Sequence, residues 1–217
     1  MSSTPGEIAI FLEAGTRRVF ASALDWPGWA RGGKTAELAV EALACYLPRY
    51  EPVARAAGLP PPAGGLVIAD RHDGVAKNAD FGSLGEIVAC ERRPLAAADG
   101  ARLAALLQAV WAAFDAGAAE APAQLRKGPR GGGRDTSQIV GHVHGAEVMY
   151  ARKMGLARDK AAESGPDAAA LLRARIAAAL QAPAGLETPA GGWPPRCAAR
   201  RIGWHVLDHL WEIEDKS

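Results

Sequence analysis

The chain has 217 residues, with 25 Lys and Arg against 24 Asp and Glu, 49% hydrophobic residues and 23% charged ones. At about 150 residues per domain this is one large domain or two small ones, and so apolar a chain is not a disordered one. A net charge of +1 argues against nucleic acid as a partner. Three widely spaced cysteines, Cys45, Cys90 and Cys197, form no disulfide framework, and no apolar run reaches the ~18–20 residues of a membrane span.

Glu7–Leu12 and Arg17–Leu24 read as two strands joined at Gly15-Thr16, a hairpin. Thr35 is a helix N-cap before Leu38, Leu43, Cys45, Tyr46 and Leu47, and Pro48 must break that helix because proline lacks the amide proton. A short helix follows over Arg49–Ala57, ended by Gly58 and a run of three prolines. Leu66–Asp70 and Glu86–Cys90 are expected as further strands, with His72 in a turn between them. The composition changes at about residues 93–97, where the apolar period becomes helical. A domain boundary is expected there, separating residues 1–94 from 95–217.

The second part reads as four helices. Ala97–Ala119 carries Leu103, Leu106, Leu107, Val110, Trp111 and Phe114 on one broad stripe. The next starts after Asp135, with Gln138 completing a capping box, and ends at Met154-Gly155. Pro166–Gln181 is the third, and the last begins at Pro195 or Arg196. Four helices of this length imply a four-helix bundle, and the fold class expected for the whole chain is α+β.

Four of the five histidines fall on two of these helices. His205 and His209 are four apart, about 40° round one helix face, so both imidazoles reach a common point. His142 and His144 are two apart and cannot both face inward. His142 lies about 75° from its helix's apolar stripe and His144 about 125°, so His142 is expected inward and His144 exposed. Ordinary buried or surface histidines remain one reading of this pattern. The other is a metal site with ligands from two helices.

The segment SQIVGHVHGAEVMYARKMG, followed by GWHVLDHLWEIED, resembles the DinB superfamily of metal-binding four-helix bundles over about residues 97–217. His142 with Glu147 matches its H-x-x-x-x-E, and His205 with His209 its H-x-x-x-H. The resemblance implies a divalent metal on His142, His205 and His209. It also implies a thiol-dependent transfer or isomerisation on a small-molecule substrate, with a low-molecular-weight thiol as co-substrate. Three histidines and an open position are a catalytic arrangement, and all-nitrogen ligation suits zinc, nickel, iron or copper alike; zinc or nickel is the expectation.

Arg201, four before His205, and Glu212, three after His209, lie near the ligand face and are candidate catalytic residues; a solvated ion pair is the alternative. Arg126, Lys127, Arg130 and Arg134 surround Gly131–Gly133 just before the second helix. Arg130 and Arg134 are candidates for holding an anionic part of a substrate, against the reading of a solvated connector. Trp204 and Trp211 are seven apart and suit core packing or a homodimer contact. Cys197, at a helix start, is expected to be inert.

The stretch VFASALDWPGWARGGKTAELAVEALACYL resembles the N-terminal domain of HicB-type antitoxins over about residues 7–50, through Pro27-Gly28, Gly33-Lys34-Thr35 and Glu41-Ala42-Leu43. It implies a small α+β module for packing or partner binding. The expectation for the chain is thus a HicB-like α+β domain followed by a DinB-like bundle, acting as a cytoplasmic metal-dependent transferase, isomerase or hydrolase in which the metal activates a low-molecular-weight thiol or a water. The alternative is a binding or regulatory protein whose metal is structural.

Overall fold

The computed structural model describes residues 6–72, 80, 85–128, 132–183 and 187–217. Within them the chain is mixed α/β, a four-stranded sheet with seven helices.

Strands β1 (Glu7–Ala14) and β2 (Val19–Ala23) form the expected antiparallel hairpin, with Ala14 opposite Val19. The Asp80 carboxylate latches its turn, accepting the amides of Thr16 at 3.0 Å and Arg17 at 2.7 Å. A third strand, β3 (Ala30–Gly33), pairs antiparallel with β2. Sequence reading missed it, because four residues ending in two glycines carry no alternation. Helices α1 (Ala36–Cys45) and α2 (Leu47–Ala56) then cross to β4 (Gly65–His72), which lies parallel to β1. The sheet order is β3-β2-β1-β4. The Thr35 hydroxyl caps α1 through the Leu38 amide. Pro48 sits in the first turn of α2, where its missing amide proton costs nothing, so the expected break falls between two helices. His72 closes β4 rather than lying in a turn.

Residues Glu86–Val88 join no strand, and Ala89–Arg92 is a 3-10 turn, so the strand expected at Glu86–Cys90 does not form. Its residues are held by side chains instead. Glu91 accepts two bonds from Arg200, at 2.5 and 3.1 Å, and Arg200 also donates to the Glu86 carbonyl at 2.9 Å. Both Glu91 and Arg200 are buried. Short apolar runs cannot by themselves distinguish such a tethered segment from a strand.

The remaining helices are α3 (Ala97–Glu120), α4 (Thr136–Met154), the unforeseen single turn α5 (Lys160–Glu163), α6 (Ala168–Gln181) and α7 (Pro195–Lys216). Helix α3 packs on α6 and α7, and α4 packs on the same two. The Gln138 side chain accepts from the Asp135 amide at 2.9 Å, and Gly155 ends α4 at φ +104°, as the sequence signals indicate. One connected apolar core joins Ile10, Leu12, Leu43 and Tyr50 of the N-terminal part to Leu107, Ile139, Ile176 and Val206 of the helices.

Helix α7 is buried on nearly every side because two layers cover it. On one side it packs on α3 and α4, with Leu210 against Gly117 of α3, while Phe11, Glu13, Phe20 and Ser22 share the sheet face turned to it. Phe20 meets Trp204 edge-on at 6.4 Å, and Arg200 lies over Phe11. Gly28, at φ +99°, lies against Gly203; a methyl group on either would stand 3.0 Å or less from the other's backbone. The Arg31 guanidinium is clamped between the Tyr46 and Trp211 rings, 3.8 and 4.0 Å from their centroids, and pairs with Asp208 at 2.8 Å. These contacts set the rotation of α7 about its axis, and with it the direction of His205 and His209.

Candidate metal centre

His205 and His209 project from one face of α7, and His142 from α4 meets them. The three ring centroids stand 4.6, 4.9 and 5.0 Å apart, and one nitrogen from each ring lies within 4.8 Å of the other two. The Nε2 atoms of His142 and His205 are 3.1 Å apart. Two nitrogens sharing one ion at about 2.0–2.1 Å stand roughly 2.9–3.4 Å apart, so this pair already has ligand spacing.

The cluster is open on one side. His205 and His209 are 8% and 7% exposed, whereas His142 is exposed. His142 is thus a rim residue, and His144 is the more buried of the two, with Nε2 3.3 Å from the Glu163 carbonyl oxygen. The expected order of exposure is reversed: α5 covers the His144 side, which no periodicity within α4 could show.

Burial pushes the His205 imidazole down to about 3, helped by His209, His142, Arg201 and Arg134. His142 and His209 are also depressed, first by burial. All three rings are therefore neutral near pH 7, the form that ligates a metal. His209 Nδ1 lies 2.8 Å from Glu212 Oε2. A carboxylate there fixes the proton on Nδ1 and turns the Nε2 lone pair toward the other rings. Burial works against the charge on Glu212, but hydrogen bonds from Lys216, at 2.6 Å, and His209 outweigh it and hold the carboxyl below its ordinary range.

The other candidates are placed differently. Arg134 reaches Glu212 Oε2 at 3.4 Å, at the rim. Arg130 lies outside the described residues. Arg201 does not join Glu212. It is buried behind His205, with its guanidinium over the rings of Trp204, Tyr150 and Trp193 at 4.9, 5.6 and 5.7 Å. Tyr150 in turn stands edge-on to His205 at 5.6 Å. In the sequence Tyr150 is only one position of the apolar stripe Ile139, Val143, Ala146 and Tyr150 of α4, and nothing in the spacing signals Trp193. Cys197 is buried, its thiol pushed up to about 12 by burial and by Glu91, which fits the inert reading.

Glu147 faces away from the histidines. It is fully buried, accepts from Trp111 Nε1 at 2.5 Å and from Arg173 Nε at 3.2 Å, and is pushed up to about 7 by desolvation. Beside it a groove of about 460 Å3 is lined by Trp111, Asp115, Val140, His144 and Arg173. A second groove, of about 1180 Å3, is lined by Arg92, Arg93, Gln181, Thr188 and Trp193. Neither includes the three histidines. No helix among the described residues is long and apolar enough to cross a membrane. Comparison with models of known protein families finds none that matches this chain, and comparisons with curated proteins and with solved structures find no match either.

Proposed function

We propose that this chain is a metal-dependent enzyme of the DinB-like class. In this reading a HicB-like α+β unit, residues 1–94, precedes a DinB-like four-helix bundle, residues 95–217, built from α3, α4, α6 and α7. His142, His205 and His209 hold one divalent ion, zinc or nickel. The reaction is transfer to, or isomerisation of, a small electrophile with a low-molecular-weight thiol as co-substrate, in the cytoplasm. The observation that carries the reading is the convergence of three imidazoles from two helices, one of them within hydrogen-bond distance of Glu212.

An ion held there lowers the pKa of a bound water or thiol and polarises a carbonyl. The chain's own groups do the rest. Glu212 accepts the Nδ1 proton of His209 and keeps that ring in one tautomer. Tyr150, with Arg201 packed on it, backs His205. Exposed His142 leaves a side open to a substrate.

The second reading, a binding or regulatory protein with a structural ion, draws on the two grooves that leave the histidines out of their linings. Elemental analysis and chelation separate the two. Wild type should carry about one zinc or nickel per chain, and His209→Ala should carry none while keeping its helical circular dichroism. A chelated wild type that stays folded supports the open site. One that unfolds outright makes the ion structural, and a chain that purifies without either metal and takes up neither overturns both readings.

A further inference from the structure

Among the described charged groups at the rim of the histidine cluster, Arg134 has a loose partner. It stands 3.4 Å from Glu212, whose carboxylate already has closer partners in His209 at 2.8 Å and Lys216 at 2.6 Å. The Arg134 side chain is 38% exposed, and of the three histidines His142 is the exposed one. The nearby carboxylates are engaged elsewhere: Asp208 by Arg31, Glu214 and Asp215 by Arg49, and Asp135 by Lys127. Once a divalent ion sits on the histidines, positive charge at this rim outweighs the single carboxylate of Glu212, and the open side attracts an anion.

Resting on the metal reading above, we infer that the small molecule meeting the ion carries a carboxylate, and that Arg134 is the group that binds it. The guanidinium fork matches the two oxygens of a carboxylate. A phosphate is less well served, because at the start of α4 it would meet the like charge of the Asp135 carboxylate. The Asp135 amide donates to Gln138, and the Asp135 carboxylate takes the Leu125 amide and Lys127. For a thiol co-substrate the chemical class is a short mercapto acid, with sulfur toward the histidines and carboxylate toward Arg134.

The test loads the full chain with cobalt(II) and follows sulfur-to-cobalt absorption on titration with 3-mercaptopropionate or its methyl ester. Wild type should bind the acid about tenfold or more tightly than the ester, as a charged hydrogen-bonded pair requires. Arg134→Gln should bring the acid to the level of the ester, with ester binding and the cobalt spectrum unchanged. Arg134→Lys should keep part of the preference. Equal affinities in wild type, or a preference that survives Arg134→Gln, overturn the inference. Loss of ester binding together with acid binding also overturns it, because Arg134 then shapes the site rather than holding a carboxylate. Inorganic phosphate displacing the acid more strongly than acetate does would overturn the carboxylate assignment. A chain that takes up no cobalt overturns the metal reading itself, whereas uptake with equal affinities overturns this inference alone.

Discussion

Helix α4 carries two polar clusters, and they are built in opposite ways. Toward α3 and α6, Glu147 is fully buried and both its oxygens are partnered, by Trp111 and Arg173. Toward α7, His142 is exposed, three imidazoles face one another, and His205 Nδ1 has no hydrogen-bond partner. The first cluster answers its own charge. The second brings ring nitrogens of three imidazoles together, two of them 3.1 Å apart. A polar cluster that satisfies itself holds helices in register, whereas three converging imidazoles with an unpartnered ring nitrogen are what the proposed metal reading rests on.

The sharpest way to break this comparison is to open the closed cluster. Arg173→Ala strips Glu147 of its buried cation. Uptake of a proton near neutral pH limits the damage, so a loss of about 3 kcal/mol is expected, the lower end for a broken buried pair. Urea unfolding measures it, and metal content should not change. A loss below about 1 kcal/mol would mean the pair behaves as a surface one.

Acid separates the clusters next. In metal-free protein His205 is pushed down to about 3 from 6.5. Between those values the unfolded chain binds a proton that the folded chain refuses. The contribution of His205 is therefore full above about pH 6.5 and is lost as pH falls toward 3, at up to about 1.4 kcal/mol per pH unit. Glu147 acts the other way: pushed up to about 7 from 4.5, it stabilises the fold below 4.5, and that is lost as pH rises through 7. Between 4.5 and 6.5 the two slopes oppose each other. Chelated Glu147→Gln should thus lose stability on acidification across that window more steeply than chelated wild type, as read by urea unfolding. Parallel slopes would show that Glu147 does not titrate there.

Smaller effects sharpen the same contrast. Glu212→Gln keeps an acceptor for His209 Nδ1 but removes the charge, so zinc affinity should fall about 10- to 100-fold in a competition titration with a chromogenic chelator. Undiminished affinity would detach Glu212 from the centre. Asp115→Asn touches the exposed end of the Arg173 bridge, where the Asp115 side chain is 62% exposed. It should cost less than about 1 kcal/mol, leaving the weight of that cluster on buried Glu147.

Local chemistry is what the sequence carried by itself. The hairpin, the Thr35 cap, the break at Pro48, the Asp135–Gln138 and Gly155 ends of α4, and the run of four long helices depend on neighbours within a few residues. The i, i+4 spacing of His205 and His209 puts them on one face for the same reason. Tertiary structure decided everything that depends on a distant partner. Strand β3 exists because β2 offers it a ladder. Residues Glu86–Cys90 are pinned by buried Arg200 instead of pairing in the sheet. His144 is covered because α5 lies over it. Arg201 turns into an aromatic wall that includes Trp193, and Glu147 turns from the histidines to Trp111 and Arg173. The reach of His142 across to α7 depends on the rotation of α7, which the Gly28–Gly203 contact and the Arg31 clamp impose. Periodicity along one helix reports which side of it is apolar. It carries no information about what stands opposite, and a metal centre is made of what stands opposite.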